Sequence, residues 1–192
     1  MIEVKNLSKS YGEKTVFSGL SLTLPDPGIL ALTGANGSGK TTLLRLLAGL
    51  EQPDGGEIIL PERCRICCVF QDLRLLPTLS VRQNILLVLE KSRRAEADRW
   101  LEAVGLSDFA DALPAALSGG MQQRAAIARA LAYGGGLLLL DEPFSALDAA
   151  WKEKMMDAVK CASKTACVLL TTHSPQELAY LGCEEFSLSD KG

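Results

Sequence analysis

Apolar and polar positions fall into blocks along the chain. The first third carries short apolar runs broken by Gly, Pro and Asp: Ile2 to Val4, Thr15 to Phe17, Leu20 to Leu24 and Ile29 to Leu32. Runs of this kind predict strands. Asp54-Gly55-Gly56 predicts a turn ahead of Ile58-Ile59-Leu60, and Arg65 to Phe70 reads as a further strand. From Lys40 onward, Leu43, Leu44, Leu46, Leu47 and Leu50 recur at helical spacing. The stretch from Asp72 to about Tyr133 reads as helical. Ser80 and Gln83 form a capping box, and Val81, Ile85, Val88 and Leu89 follow on one face. A second helix is expected from about Arg93 to Val104, stopping at Gly105. A third opens near Gly119-Gly120 and carries Ala125, Ala126, Ala128, Ala130 and Leu131.

Strand character then returns. Leu137 to Asp141 and Val168 to Thr172 are almost wholly apolar, as parallel strands covered on both faces should be. A helix from about Asp148 to Ser163 separates them. Ser174-Pro175-Gln176-Glu177 is another helix start, with a capping Ser, Pro in the first turn and Glu three residues after the cap. The alternation predicts an α/β fold in which an inserted helical segment interrupts the sheet.

Composition narrows the classes. The chain has 192 residues, 47% hydrophobic and 22% charged, which suits one domain with a sizeable core. A net charge of −3 excludes the dense basic footprint of a dedicated nucleic-acid binder. No apolar run approaches the roughly 18 to 20 residues needed to span a bilayer. Met1-Ile2-Glu3-Val4-Lys5 has neither a basic leader nor a long apolar stretch and does not read as a signal peptide. A cytosolic chain is therefore expected, with any membrane link made through a partner. Six cysteines are present. Cys64 and Cys67 are spaced CxxC, but on a strand two side chains three positions apart point to opposite faces. With His173 the single histidine, the cysteines read as small buried hydrophobes rather than metal ligands.

Two segments carry chemistry. Gly34-Ala35-Asn36-Gly37-Ser38-Gly39-Lys40-Thr41 matches GxxxxGK[ST], with a strand before it and a helix after it. Successive glycines let backbone N–H groups turn inward around an anion, and the helix N-terminus adds partial positive charge. Gly34, Asn36, Gly37, Ser38, Gly39, Lys40, Thr41 and Thr42 are thus the expected phosphate-binding residues. Lys40 reaches the β and γ phosphates, and the Thr41 hydroxyl is an expected Mg²⁺ ligand. The second segment is Leu137-Leu138-Leu139-Leu140-Asp141-Glu142-Pro143. Asp141 emerges at the carboxyl end of a buried strand, where open α/β sheets bind ligands. It is the expected Mg²⁺ carboxylate, which leaves Glu142 free to act as base.

Leu117-Ser118-Gly119-Gly120-Met121-Gln122-Gln123-Arg124 resembles the LSGGQ signature of ATP-binding cassette (ABC) ATPases. Other elements fit that family in order. Tyr11 resembles the aromatic that stacks on adenine, although an aromatic before a Gly turn also serves as packing. Gln71 in Val69-Phe70-Gln71-Asp72 resembles the Q-loop glutamine. Ser145-Ala146-Leu147-Asp148 looks like the D-loop, and His173 looks like the switch histidine. The resemblance covers nearly the whole chain. It implies a P-loop NTPase core with a mainly parallel sheet in residues 1–71 and 134–192, an N-terminal antiparallel β subdomain, and an inserted helical subdomain, 72–133, bearing the signature.

The resemblance also implies the mechanism. Two cassettes pack head to tail, each ATP lying between the Lys40 loop of one subunit and Ser118, Gly119 and Gly120 of the other. Lys40, Gln71, Glu142 and His173 form the implied catalytic set. Glu142 polarises water, His173 holds the γ-phosphate, Gln71 touches Mg²⁺ or the water, and Asp148 contacts the opposing subunit. Met121 stands where the signature usually has Gln, so closure on ATP is expected to survive while turnover is altered. The sequence is shorter than most members, and no appended regulatory domain is expected.

Leu73, Leu75, Leu76 and Leu79 cluster after Gln71. In family transporters this region meets the coupling helix of the membrane subunit; packing within the helical lobe is the other reading. Leu75-Leu76-Pro77-Thr78-Leu79-Ser80-Val81 resembles nitrate, sulfonate and taurine importer ATPases. The expected partners are a second ABC ATPase subunit, identical or not, an integral membrane permease and a substrate-binding protein. The expected place is the cytoplasmic face of the cell membrane. A non-transport ABC ATPase acting on nucleic acid or the ribosome is the alternative, but the two cassettes or long coiled-coil insertions usual there do not fit within this chain. A GTPase should show an NKxD-type guanine reader, and none is found.

Overall fold

The computed structural model describes residues 1–188. Strands β1 (Ile2–Tyr11) and β2 (Lys14–Leu24) form an antiparallel hairpin, turning at Gly12-Glu13, where Gly12 takes a φ of +59°. Strand β4 (Gly55–Ile59) pairs antiparallel with the other edge of β1, giving a sheet ordered β2-β1-β4. These strands outrun the apolar segments that predicted them. Lys5, Ser8 and Lys9 sit in the ladder because a solvated sheet face does not require apolar side chains.

The second sheet is parallel and ordered β5-β6-β7-β3-β8. It comprises β3 (Gly28–Thr33), β5 (Ile66–Val69), β6 (Leu137–Asp141), β7 (Cys167–Thr171) and β8 (Glu184–Ser187). Both faces are covered. Leu138, Leu140, Val168, Leu170 and Ala31 face one core cluster, and Leu137, Leu139, Leu169, Leu30 and Leu32 face the other. The latter face packs on helix α1 (Lys40–Leu47) and on the antiparallel sheet. Cys67 joins the first cluster and Cys64 the second, so the CxxC pair does divide between opposite sides of the sheet. Strand β8 was not expected from the sequence. Glu184-Glu185-Phe186-Ser187 is an edge strand with only Phe186 half-buried, so it carries no apolar signature.

The helical segment contains α2 (Val81–Leu86), α3 (Ala97–Ala103) and α4 (Gly119–Tyr133). The predicted capping box is formed: Ser80 Oγ accepts from Gln83 N and Gln83 Oε1 accepts from Ser80 N at 2.9 Å. Two expectations change. Residues 91–96 form a 3₁₀ turn, so the helix expected from Arg93 begins at Ala97. The segment 72–80 is irregular rather than helical. Pro77 has no N–H to give and disfavours helix in the residue before it, and side chains take over the backbone groups. The buried Asn84 accepts from Leu76 N at 2.8 Å and donates to Leu79 O at 3.0 Å. Arg129 of α4 donates to Leu73 O at 2.9 Å and Arg74 O at 2.8 Å. The leucine cluster therefore divides: Leu73 and Leu75 pack on the core, while Leu76 is 45% exposed.

Helices α5 (Ala149–Ala162) and α6 (Pro175–Leu181) complete the core. Trp151 of α5 joins core and helical segment. Arg124 of α4 stacks on its ring at 4.0 Å and also donates to Val104 O. Gly105 (φ +62°) lies so close that an added Cβ would meet the indole at 2.2 Å. Burial lowers the Arg124 pKa.

Candidate functional site

The parallel sheet sets the site. The loops after β3, β5, β6 and β7 leave the same edge, the carboxyl ends of the strands. They bring Gly34–Thr42, Gln71, Asp141-Glu142 and His173 together from distant parts of the chain.

The phosphate loop is held by its glycines. Gly39 has a φ of +97°, and an added Cβ would meet Val16 at 2.5 Å; both facts require glycine there. Helix α1 opens at Gly39 with no side-chain cap and no acidic residue in its first turn, so its first N–H groups remain available to an anion. Lys40 is 7% exposed and donates to Gly34 O at 2.8 Å and Ala35 O at 3.0 Å. Ser38 Oγ is buried with no hydrogen-bond partner among the described residues. An unsatisfied hydroxyl in this loop fits a site built for phosphate oxygens.

The carboxylate segment meets this loop. Thr41 Oγ1 donates to Asp141 Oδ2 at 2.7 Å, and Thr171 Oγ1 donates to Asp141 Oδ1 at 2.8 Å. Asp141 is 3% exposed. Glu142 adopts a φ of +48°, unusual for a residue with a side chain; its N–H donates to Thr171 Oγ1 at 2.8 Å. The left-handed turn aims Glu142 away from Asp141 and towards His173, whose Nε2 lies 3.7 Å from Glu142 Oε1.

A cavity of about 330 Å³ is lined by Tyr11, Asn36, Gly37, Gly39, Lys40, Thr41, Thr42, Gln71, Asp141 and Glu142 among others. Ten of the expected residues thus share one surface. His173 lines the adjoining cavity with Glu142. Tyr11 is 47% exposed, and its hydroxyl hydrogen-bonds Glu51, which raises its pKa.

Ser118, Gly119 and Gly120 do not line that cavity. Ser118 caps α4, its Oγ accepting from Met121 N at 3.3 Å. Gly119 faces open space, whereas a Cβ on Gly120 would meet Ala146 O at 2.8 Å. Met121 packs partly against the core, giving the helix an apolar contact where the signature usually carries an amide. Asp148 caps α5, accepting from Trp151 N at 3.0 Å.

The family model described as ABC transporter matches residues 17–145. The chain belongs to that family. The aliphatic sulfonates import ATP-binding protein SsuB 1 of Nocardia farcinica (strain IFM 10152) is 46% identical over 184 residues, covering 94% of this chain and 74% of that protein. The spermidine/putrescine import ATP-binding protein PotA of Chromobacterium violaceum is 44% identical over 170 residues, covering 81% of this chain and 47% of that protein. A solved dimeric structure of the ATP-binding cassette MJ0796, a post-hydrolysis state bound to ADP and Pi, aligns with a TM-score of 0.89 at 29% identity over 100% of this chain and 97% of that one. The chain is accordingly an ABC transporter subunit that binds and hydrolyses ATP.

Three residues of this cassette's site escaped the sequence reading. Lys14 lines the cavity, with Nζ 4.0 Å from where a Gly37 Cβ would lie; a lysine at a hairpin turn carries no local signal. Thr171 bridges Asp141 and Glu142 but lies in a run that reads only as a strand. Glu177 was read as a capping residue. Its carboxylate is instead buried against Thr172 Oγ1 at 2.5 Å and Lys152 Nζ at 2.8 Å.

Proposed function

We propose that this subunit drives solute import by closing on a second cassette around ATP, with hydrolysis reopening the pair. The observation that carries the reading is the 2.7 Å bond between Thr41 Oγ1 and Asp141 Oδ2. A hydroxyl and a carboxylate meet there beside Lys40 and the phosphate loop, a hard-oxygen pair suited to Mg²⁺. Thr41 and Asp141 would hold the Mg²⁺, which would supply neutralisation of the phosphate charge.

The remaining roles belong to this chain's side chains. The Gly34–Thr42 loop and Lys40 hold the phosphates, and Tyr11 offers a ring for the adenine. Glu142 polarises the attacking water. His173, beside Glu142, holds the γ-phosphate, and Gln71 contacts the metal or the water. Ser118, Gly119 and Gly120 present the uncovered tip of α4 to the nucleotide of the opposing subunit, and Asp148 faces that subunit. ATP binds across two surfaces while ADP lacks the group that joins them, and this difference in binding drives closure.

Exposed Leu76, in the irregular segment that follows Gln71, is the expected contact for an integral membrane permease. Among the described residues no helix is long and apolar enough to cross a membrane. Docking on that permease would hold the subunit peripherally on the cytoplasmic face. A substrate-binding protein on the far side completes an importer. Relatives named for anionic sulfonates and for cationic polyamines match at 46% and 44% identity. The cassette therefore tracks the motor rather than the cargo.

Phosphate release from ATP with Mg²⁺ tests the site. Lys40→Ala should abolish it, and an unchanged rate would remove the phosphate-loop assignment.

A further inference from the structure

His173 carries the switch role proposed above, yet among the described residues its own side chain has no partner closer than Glu142 Oε1 at 3.7 Å, and it is 43% exposed. Its place is set through its neighbours. Thr172 Oγ1 donates to Glu177 Oε2 at 2.5 Å and accepts from Ser174 N at 3.0 Å. Ser174 Oγ accepts from Glu177 N at 3.4 Å. The residues on both sides of His173 are thus bonded to one carboxylate-bearing residue, and Thr172 and Glu177 are buried, 3% and 6% exposed.

The same carboxylate reaches a second element. Lys152 Nζ donates to Glu177 Oε1 at 2.8 Å. Lys152 lies in the first turn of α5, and its N–H donates to Asp148 O at 2.8 Å. Helices α5 and α6 are tied again lower down, where Lys160 Nζ meets Tyr180 O at 3.1 Å and Tyr180 hydroxyl meets Asp157 at 3.0 Å. The two helices are thus tied at both ends, which joins the Asp148 end of α5 to the turn carrying His173. A carboxylate this buried needs its partners, so loss of Lys152 would leave Glu177 with the Thr172 hydroxyl alone.

We propose that Glu177 and Lys152 are positioning residues for hydrolysis: together they fix the His173 turn and lock it to the helix begun by Asp148. The proposal rests on the switch role of His173 and adds the element that sets it. Neither residue lines the cavity of the phosphate loop; both act through Thr172 and Ser174, on either side of His173.

The test is steady-state hydrolysis by the full chain with ATP and Mg²⁺, comparing Lys152→Met, Lys152→Arg, Glu177→Gln, the Lys152→Met/Glu177→Gln double variant and His173→Ala. Lys152→Met and Glu177→Gln should each lower kcat about tenfold with KM for ATP unchanged, within the loss that misplacement of a reacting group causes. Lys152→Arg, which keeps the pair, should restore the parental kcat. The double variant should be no worse than Lys152→Met alone, because it leaves no unpaired buried carboxylate. Lys152 is partly exposed, so its Met variant is expected to fold. Parental kcat in Lys152→Met and Glu177→Gln, with His173→Ala inactive, would overturn this proposal alone. A parallel fall in melting temperature, rise in KM and failure of Lys152→Arg would reduce the pair to a structural contact. Full activity in His173→Ala would overturn both the switch role and the proposal built on it.

Discussion

Thr171 sits beside Asp141 on the neighbouring strand: its hydroxyl donates to Asp141 Oδ1 at 2.8 Å and at the same oxygen receives the Glu142 N–H at 2.8 Å. One hydroxyl thereby aligns the expected metal carboxylate and the expected base. Thr171→Val removes it with little change of shape. The variant leaves an Asp141 oxygen and the Glu142 N–H short of a partner, at a cost of about 1–3 kcal/mol. Urea unfolding should show that loss, and hydrolysis should fall because Glu142 is no longer held in its left-handed turn.

Glu142 lies in the cavity with Lys40 and Asp141 but makes none of the contacts that hold the phosphate loop. Glu142→Gln should therefore bind ATP and fail to hydrolyse it, leaving a closed dimer. Size-exclusion chromatography with ATP and Mg²⁺ should show a dimer peak that the parent lacks. A monomer alone would contradict the head-to-tail arrangement.

Gly119 and Gly120 separate fold from function. A Cβ on Gly119 meets nothing, whereas one on Gly120 meets Ala146 O at 2.8 Å. Gly119→Ala should keep the parental melting temperature yet weaken ATP-dependent dimerisation, since the added methyl crowds the tip of α4. Gly120→Ala should lose both, with destabilisation of about 1–3 kcal/mol from the displaced backbone.

The thiols divide by burial. Desolvation raises the Cys67 and Cys167 pKa values to about 12 and that of Cys68 to about 11, while Cys161 is exposed. At pH 8 these three are neutral thiols, and only thiolates react. Mass spectrometry after brief alkylation should find Cys161 labelled in the native protein, and Cys67, Cys68 and Cys167 labelled only after denaturation.

The segments legible in the sequence were those whose signal is local. The Leu137–Leu140 run gave β6 because a strand covered on both faces must be apolar throughout. Ser80 with Gln83, Ser118, Asp148 and Ser174 each marked a helix start, because a cap is read within three residues. The segment 72–80 misled for the opposite reason: its leucines look helical, but Pro77 breaks the ladder and Asn84 and Arg129 supply the missing partners from elsewhere. Strand β8 left no trace, since an exposed edge needs pairing rather than hydrophobicity.

The residues alone determined which chemistry is present: an anion loop ending in Lys40 and Thr41, a carboxylate pair at a strand end, and one histidine. Only the folded chain decided how they meet. The order β5-β6-β7-β3 brings Thr41 onto Asp141, sets Thr171 beside both acidic residues and buries Glu177 between Lys152 and Thr172, while leaving Ser118 to Gly120 outside the cavity. Spacing along the chain encodes local turns and faces; convergence of side chains depends on which strands pair, and that is settled by the packing of the whole sheet.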